Sequence, residues 1–129
     1  MRETVLLVLA VAIMACATNL EDLRYSEPIR ADQFHAPHDR LATCTKQRFD
    51  NQFLAQLQRW DDPAKQEIRL AMTTIMPGFL LTIQGAALFD IRFLQHNSLT
   101  LVQLRSDGWY DRFSTDIWAI VEACAKAGS

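Results

Sequence analysis

Apolar positions along this chain fall into three regimes. The run Val5-Leu6-Leu7-Val8-Leu9-Ala10-Val11-Ala12-Ile13-Met14 is continuous, and residues 17–41 hold only scattered apolar side chains among Glu21, Asp22, Arg24, Glu27, Arg30, Asp32, Asp39 and Arg40. From about residue 42 onward apolar side chains recur with a period. Alternation is clearest at residues 88–94, with Phe89, Ile91 and Phe93 on one face of a strand and Asp90 and Arg92 on the other, and again at residues 99–104. The turn-prone His96-Asn97-Ser98 between them is too short for a crossover, so these strands must pair antiparallel. Met76-Pro77-Gly78 is a turn signal, followed by a short strand at residues 79–84 that Gly85 closes. Residues 68–75 alternate Ile68, Leu70 and Met72 against Arg69, Ala71 and Thr73, which favours a strand, although Asp62-Pro63 ahead of them would also open a helix. In residues 45–60 both periods are present, since Phe49, Phe53, Leu57 and Trp60 recur at helical intervals while Phe53, Ala55 and Leu57 alternate. Ser106-Asp107-Gly108 marks a further turn. Ser114 or Thr115 then caps a last helix that ends before Gly128, with Ile117, Ile120, Val121 and Cys124 on one face. The fold class is α+β: a small antiparallel β-meander packed against a C-terminal helix.

At 129 residues the chain is one domain, and its 50% hydrophobic content excludes a disordered or collagenous protein. Thirteen Lys and Arg against fifteen Asp and Glu give a net charge of -2, which leaves no basic stripe to neutralise phosphates, so no nucleic-acid partner is expected. The hydrophobic share is inflated by the N-terminal run. Ten apolar residues in a helix reach about 15 Å, half of a bilayer core of about 30 Å, so the run does not span a membrane. With Arg2 ahead of it and small residues behind it, the run has the layout of a secretory signal.

The signal ends in Ile13-Met14-Ala15-Cys16, which resembles the lipobox of bacterial lipoproteins. The resemblance implies cleavage before Cys16, a diacylglyceryl group on its thiol and an acyl chain such as palmitate on the new amino terminus. Ala17 after the Cys points to the outer membrane, with the protein on its periplasmic face. The chain then divides into a signal peptide at 1–15, a lipid-anchored polar tether at 16–41 and a periplasmic domain at 42–129. A flexible tether of about 24 residues has an r.m.s. reach of about 27 Å and would hold the domain clear of the headgroups. Once Cys16 carries lipid, Cys44 and Cys124 remain as an even pair in an oxidising compartment, which reads as a disulfide.

A second, weaker resemblance runs through Phe53-Leu54-Ala55-Gln56-Leu57, residues 68–74, Pro77-Gly78 and residues 79–84. Their strand–turn–strand rhythm is similar to the lipoprotein-localisation half-barrels of the LolA/LolB-like fold, and that resemblance implies a curved sheet holding acyl chains. Small secretin pilotins match the size and the anchor equally well. The apolar set Met72, Met76, Phe79, Leu81, Ile83, Phe89, Ile91 and Phe93 is either the core of a sheet or the lining of an acyl-chain pocket.

Other candidate chemistry is thin. Asp32, His35, His38 and Asp39 have donor atoms suited to a divalent metal, but in a polar segment they read as solvated and no metal is expected. Asp107 and Asp116 have turn and helix-start duties, Asp111 and Glu122 lie beside no nucleophile motif, and His96 belongs to a turn, so no enzyme and no cofactor are expected. Trp109, Tyr110 and Phe113 beside Asp111 and Arg112 form either a partner patch or packing under the last helix. The expectation is a non-enzymatic lipoprotein that binds a hydrophobic or lipid-like ligand. The alternative is a small accessory or assembly lipoprotein, similar to a pilotin, that binds an envelope protein partner.

Overall fold

The computed structural model describes residues 20–77, 82–106 and 111–127. The elements run α1 (Leu20–Tyr25), β1 (Arg30–Phe34), α2 (His38–Phe53), β2 (Gln58–Asp62), β3 (Glu67–Pro77), β4 (Thr82–His96), β5 (Leu99–Ser106) and α3 (Asp111–Ala127). The strands form one antiparallel sheet in the order β1-β5-β4-β3-β2. It is an α+β fold in which β2 to β5 are a meander, with α2 and α3 packed on one face.

Alternation sets the two faces of the sheet. Ile68 and Leu70 of β3, Phe89, Ile91 and Phe93 of β4, and Val102 and Leu104 of β5 are buried in one cluster with Leu41, Ala42 and Phe49 of α2 and Ile117, Trp118, Ile120 and Val121 of α3. Burying such side chains contributes about 1.5–3 kcal/mol each, so this inner face is the main source of stability. Cys44 and Cys124 meet at disulfide distance with Cα atoms 5.8 Å apart, joining α2 to α3 on the same face.

Residues 20–41 correct the expected tether. α1 buries Leu23, β1 pairs with β5 from Arg30↔Leu104 to Phe34↔Thr100, and Ala36 and Leu41 belong to the core. The segment is polar because its elements are peripheral. Along β1, which has a single neighbour among the described residues, Ala31, Asp32 and Gln33 are all exposed, and in α1 Leu23 is buried. The signal peptide and residues 16–19 lie outside the described residues.

The ambiguous region 45–60 divides between both periods. α2 takes the helical part through Phe53, and Leu54 terminates it in the left-handed region at φ 51°, its N–H donating to the Asp50 carbonyl. An Asp50 side-chain oxygen accepts the Leu57 N–H at 2.9 Å, which turns the chain into β2. Residues 68–75 fall within strand β3, as their alternation favours. Gly85 does not close a strand; it lies within β4, which unites the two strands expected at 79–84 and 88–94, while residues 78–81 lie outside the described residues. Register shifts in β3 between Met72 and Ile75 absorb the irregularity opposite that glycine. Helix α3 begins at Asp111, ahead of the expected caps, so Ser114 is a buried residue within it.

The apolar crevice and the charged face

At one end of the inner face the core opens into a crevice of about 260 Å³. Helix α2 supplies Phe49 and Phe53 at an i, i+4 spacing, with ring centroids 4.6 Å apart, and Ala55 follows just past its end. The sheet supplies Met72, Leu88 and Phe89, with the Phe89 ring edge-on to Phe49 at 5.3 Å. Phe113 and Ile117 of α3 close the third side. The described lining side chains are all hydrocarbon or thioether, so what they offer is apolar contact area. Its volume lies just below the range of about 300–1,000 Å³ usual for small-molecule sites, which suits a single apolar tail rather than a whole lipid.

The sequence-derived candidates divide here. Met72 and Phe89 line the crevice. Ile91 and Phe93 do not: both are fully buried in the solid core, because the two helices close over the middle of the sheet. Met76 lies in the part of β3 beyond the crevice, opposite Ile83 of β4, while Phe79 and Leu81 are outside the described residues. Sequence reasoning missed Phe49, Phe53, Ala55, Leu88, Phe113 and Ile117 as lining residues. The Phe49–Phe53 helical spacing was the available signal, obscured by the competing alternation through Leu57.

The opposite face of the sheet is ionic. Arg69 donates to Glu67 at 2.8 Å and to Asp90 at 2.9 Å, Arg92 donates to Glu67 at 2.6 Å, and Arg24 of α1 lies 3.5 Å from Asp90 and 4.9 Å above the Trp60 ring. Arg105 Nε donates to the Ser26 carbonyl at 2.8 Å, holding the end of α1 against β5. Burial raises the Asp90 carboxyl above its ordinary range, against the pull of Arg69, Arg24 and Arg105. Burial also acts to raise Glu67, but the Arg92 hydrogen bond and the charges of Arg69 and Arg92 outweigh it and hold that carboxyl below its ordinary range. A larger open groove of about 650 Å³ runs beside this network, bounded by α1, Trp60, Lys65 and Glu67. Its acids and bases are largely spent on one another, so it reads as the flank of a structural network. By contrast, the described lining of the crevice is apolar throughout.

Asp32 and His35 are exposed near β1, and His38 starts α2 with its backbone N–H donating to Gln95 Oε1 at 2.8 Å. Among the described residues no three His, Cys, Asp or Glu side chains converge on a metal site. Asp116 and Glu122 are exposed on α3, while Asp107, Trp109 and Tyr110 lie outside the described residues. No described helix is long and apolar enough to cross a membrane. The chain matches no protein-family model, and no curated protein matches it.

Proposed function

We propose that this chain is a non-enzymatic lipoprotein, anchored through Cys16 to the periplasmic face of a bacterial outer membrane, whose crevice holds one hydrophobic or lipid-like tail. The observation that carries the reading is the crevice itself: apolar at every described lining residue, walled by two helices and the sheet, and placed where the core ends. Met72 and four Phe rings suit a flexible tail, because a thioether and tilting aromatics adapt to its bends. The anchor is supported by the sequence alone, through the apolar run and the Ile13-Met14-Ala15-Cys16 motif. Each buried CH₂ of an acyl chain contributes about 0.8 kcal/mol, so two or more chains hold the protein stably. The Cys44–Cys124 pair suits an oxidising compartment.

The test is intact and native mass spectrometry of the protein extracted from membranes. The reading expects the mass of a chain that starts at Cys16 with diacylglyceryl and acyl groups, two hydrogens lighter for the disulfide, together with a lipid-like adduct that organic solvent removes. An unmodified chain starting at residue 1 or 18 sinks the anchor; an acylated chain that never carries an adduct, even after incubation with fatty acid, sinks the crevice.

A further inference from the structure

The β3–β4 hairpin outruns the rest of the sheet. Strand β2 accompanies β3 as far as Ala71, and β5 accompanies β4 as far as Phe89. Past those points β3 and β4 pair only with each other among the described residues, from Thr73↔Ala87 to Pro77↔Thr82. The stretch from 72 through 89 contains no Asp, Glu, Lys, Arg or His. A two-stranded ribbon is marginal in water, and exposed strand edges are ordinarily blunted with charge; this one has none. The same end of the molecule presents Leu54, 93% exposed at the end of α2, and Phe113, 43% exposed at the mouth of the crevice.

The chain's own anchor indicates what meets this end. Residues 16–19 separate Cys16 from α1 and span at most about 14 Å. Arg24 of α1 contacts Asp90, the neighbour of Phe89 where the arm departs. Adding about 6 Å of helix from residue 20 to residue 24 brings the acylated cysteine within about 20 Å of Arg24, whose side chain contacts Asp90 at the base of the arm. The arm, five residues of β3 at about 3.3 Å each, reaches about 16 Å. That is enough to pass a headgroup layer of about 5–8 Å and far short of a bilayer core of about 30 Å. Backbone edges that no described strand pairs fit this depth, where water and headgroups still satisfy N–H and C=O groups, and would not be tolerated deeper.

We propose that the arm formed by residues 73–77 and 82–87, with Leu54 and Phe113 beside it, is a membrane-contacting surface that enters the headgroup layer of the anchoring bilayer and turns the crevice mouth toward it. The choice of a bilayer rests on the reading of Cys16 as lipidated.

The experiment separates the two. The mature chain from residue 16 carrying Cys16→Ser, and therefore without acyl groups, is mixed with vesicles of phosphatidylethanolamine and a minority of phosphatidylglycerol and floated on a density gradient. It is expected to float with the vesicles. Met76→Glu with Ile83→Lys charges the arm while giving a favourable cross-strand pair at a register position, so the hairpin is retained; the expected result is a partition lower by about tenfold or more with an unchanged thermal melt. Leu54→Asp, on a side chain already in water, is expected to lower partition by about threefold. A Cys16→Ser chain that stays with the soluble fraction overturns the proposal, as does equal flotation of the charged-arm variant. A wild-type dimer that the charged arm converts to a non-floating monomer also overturns it and makes the arm a protein interface. Acylation of Cys16 is read independently from the mass of the native protein, so failure of the anchor and failure of the arm give different results.

Discussion

The two ends of the sheet are built differently. At the β4–β5 turn every neighbour is tied down: Thr100 Oγ1 donates to the Ala36 carbonyl at 2.6 Å, Gln95 receives the first N–H of α2, and Arg59 joins β2 to Asp39 and Thr43 of that helix. At the other end the five-stranded pairing stops, the helices part around a crevice, and a charge-free hairpin continues with no third strand among the described residues. The first arrangement holds the fold. The second leaves Leu54 and Phe113 exposed, apolar surface that folding alone does not require. That difference is the ground for proposing that function lies at the arm end, and substitutions at each end can break the proposal.

The largest effect belongs to the Cys44–Cys124 pair, which closes a loop of 81 residues, counting both cysteines. Replacing both with Ser is expected to lower unfolding free energy by about 4.5 kcal/mol, read by urea denaturation; a loss below about 1 kcal/mol would mean that the helix pair holds without its staple. Next come two residues on one strand. Leu70, fully buried, should cost about 2–5 kcal/mol as Leu70→Ala, whereas Met72→Ala at the crevice wall should cost about 1 kcal/mol or less. Equal costs would show that the crevice is ordinary core.

The charged face gives a smaller effect with a definite sign. The folded Asp90 carboxyl titrates above its unfolded value of about 3.9, so the folded chain holds that proton more tightly; this contribution is full below about pH 4 and is lost as pH rises through the raised folded value. Glu67, held low, acts the other way: its stabilisation is present above its unfolded value and lost as pH falls through the folded one. Asp90→Asn should therefore be at least as stable as wild type at neutral pH and should lose stability less steeply as pH rises from about 4, with the acid-side loss retained. A variant clearly less stable at neutral pH would show that the Arg24 and Arg69 pairs outweigh burial. The smallest effect is at the arm: Met76→Glu with Ile83→Lys should change unfolding free energy by less than about 0.5 kcal/mol, because no strand but its hairpin partner depends on it among the described residues.

Much of this was legible in the sequence. The alternation around Asp90 and Arg92 assigned the faces of β4 correctly, and the helical face of Ile117, Ile120, Val121 and Cys124 placed the cysteine on the buried side. Two physical features obscured the rest. Peripheral elements bury little, so α1 and β1 resemble a tether in composition, although Leu23 of the helix is buried. Gly85 mimics a strand end when it is a local irregularity in a long strand, which hid the arm. Met72 was recognisable as a candidate lining residue. Ile91 was not separable from it, because both lie on the inner face and only the helices above decide which positions they cover.

The central claim is that the crevice takes an apolar tail. Titrating a fluorescent long-chain fatty acid into the mature protein, with Met72→Trp as the variant that fills the space, tests it most directly. The account predicts saturable one-to-one binding that falls by about tenfold or more in Met72→Trp while the melt is retained. No saturable binding, or binding equal in the filled variant, would contradict it.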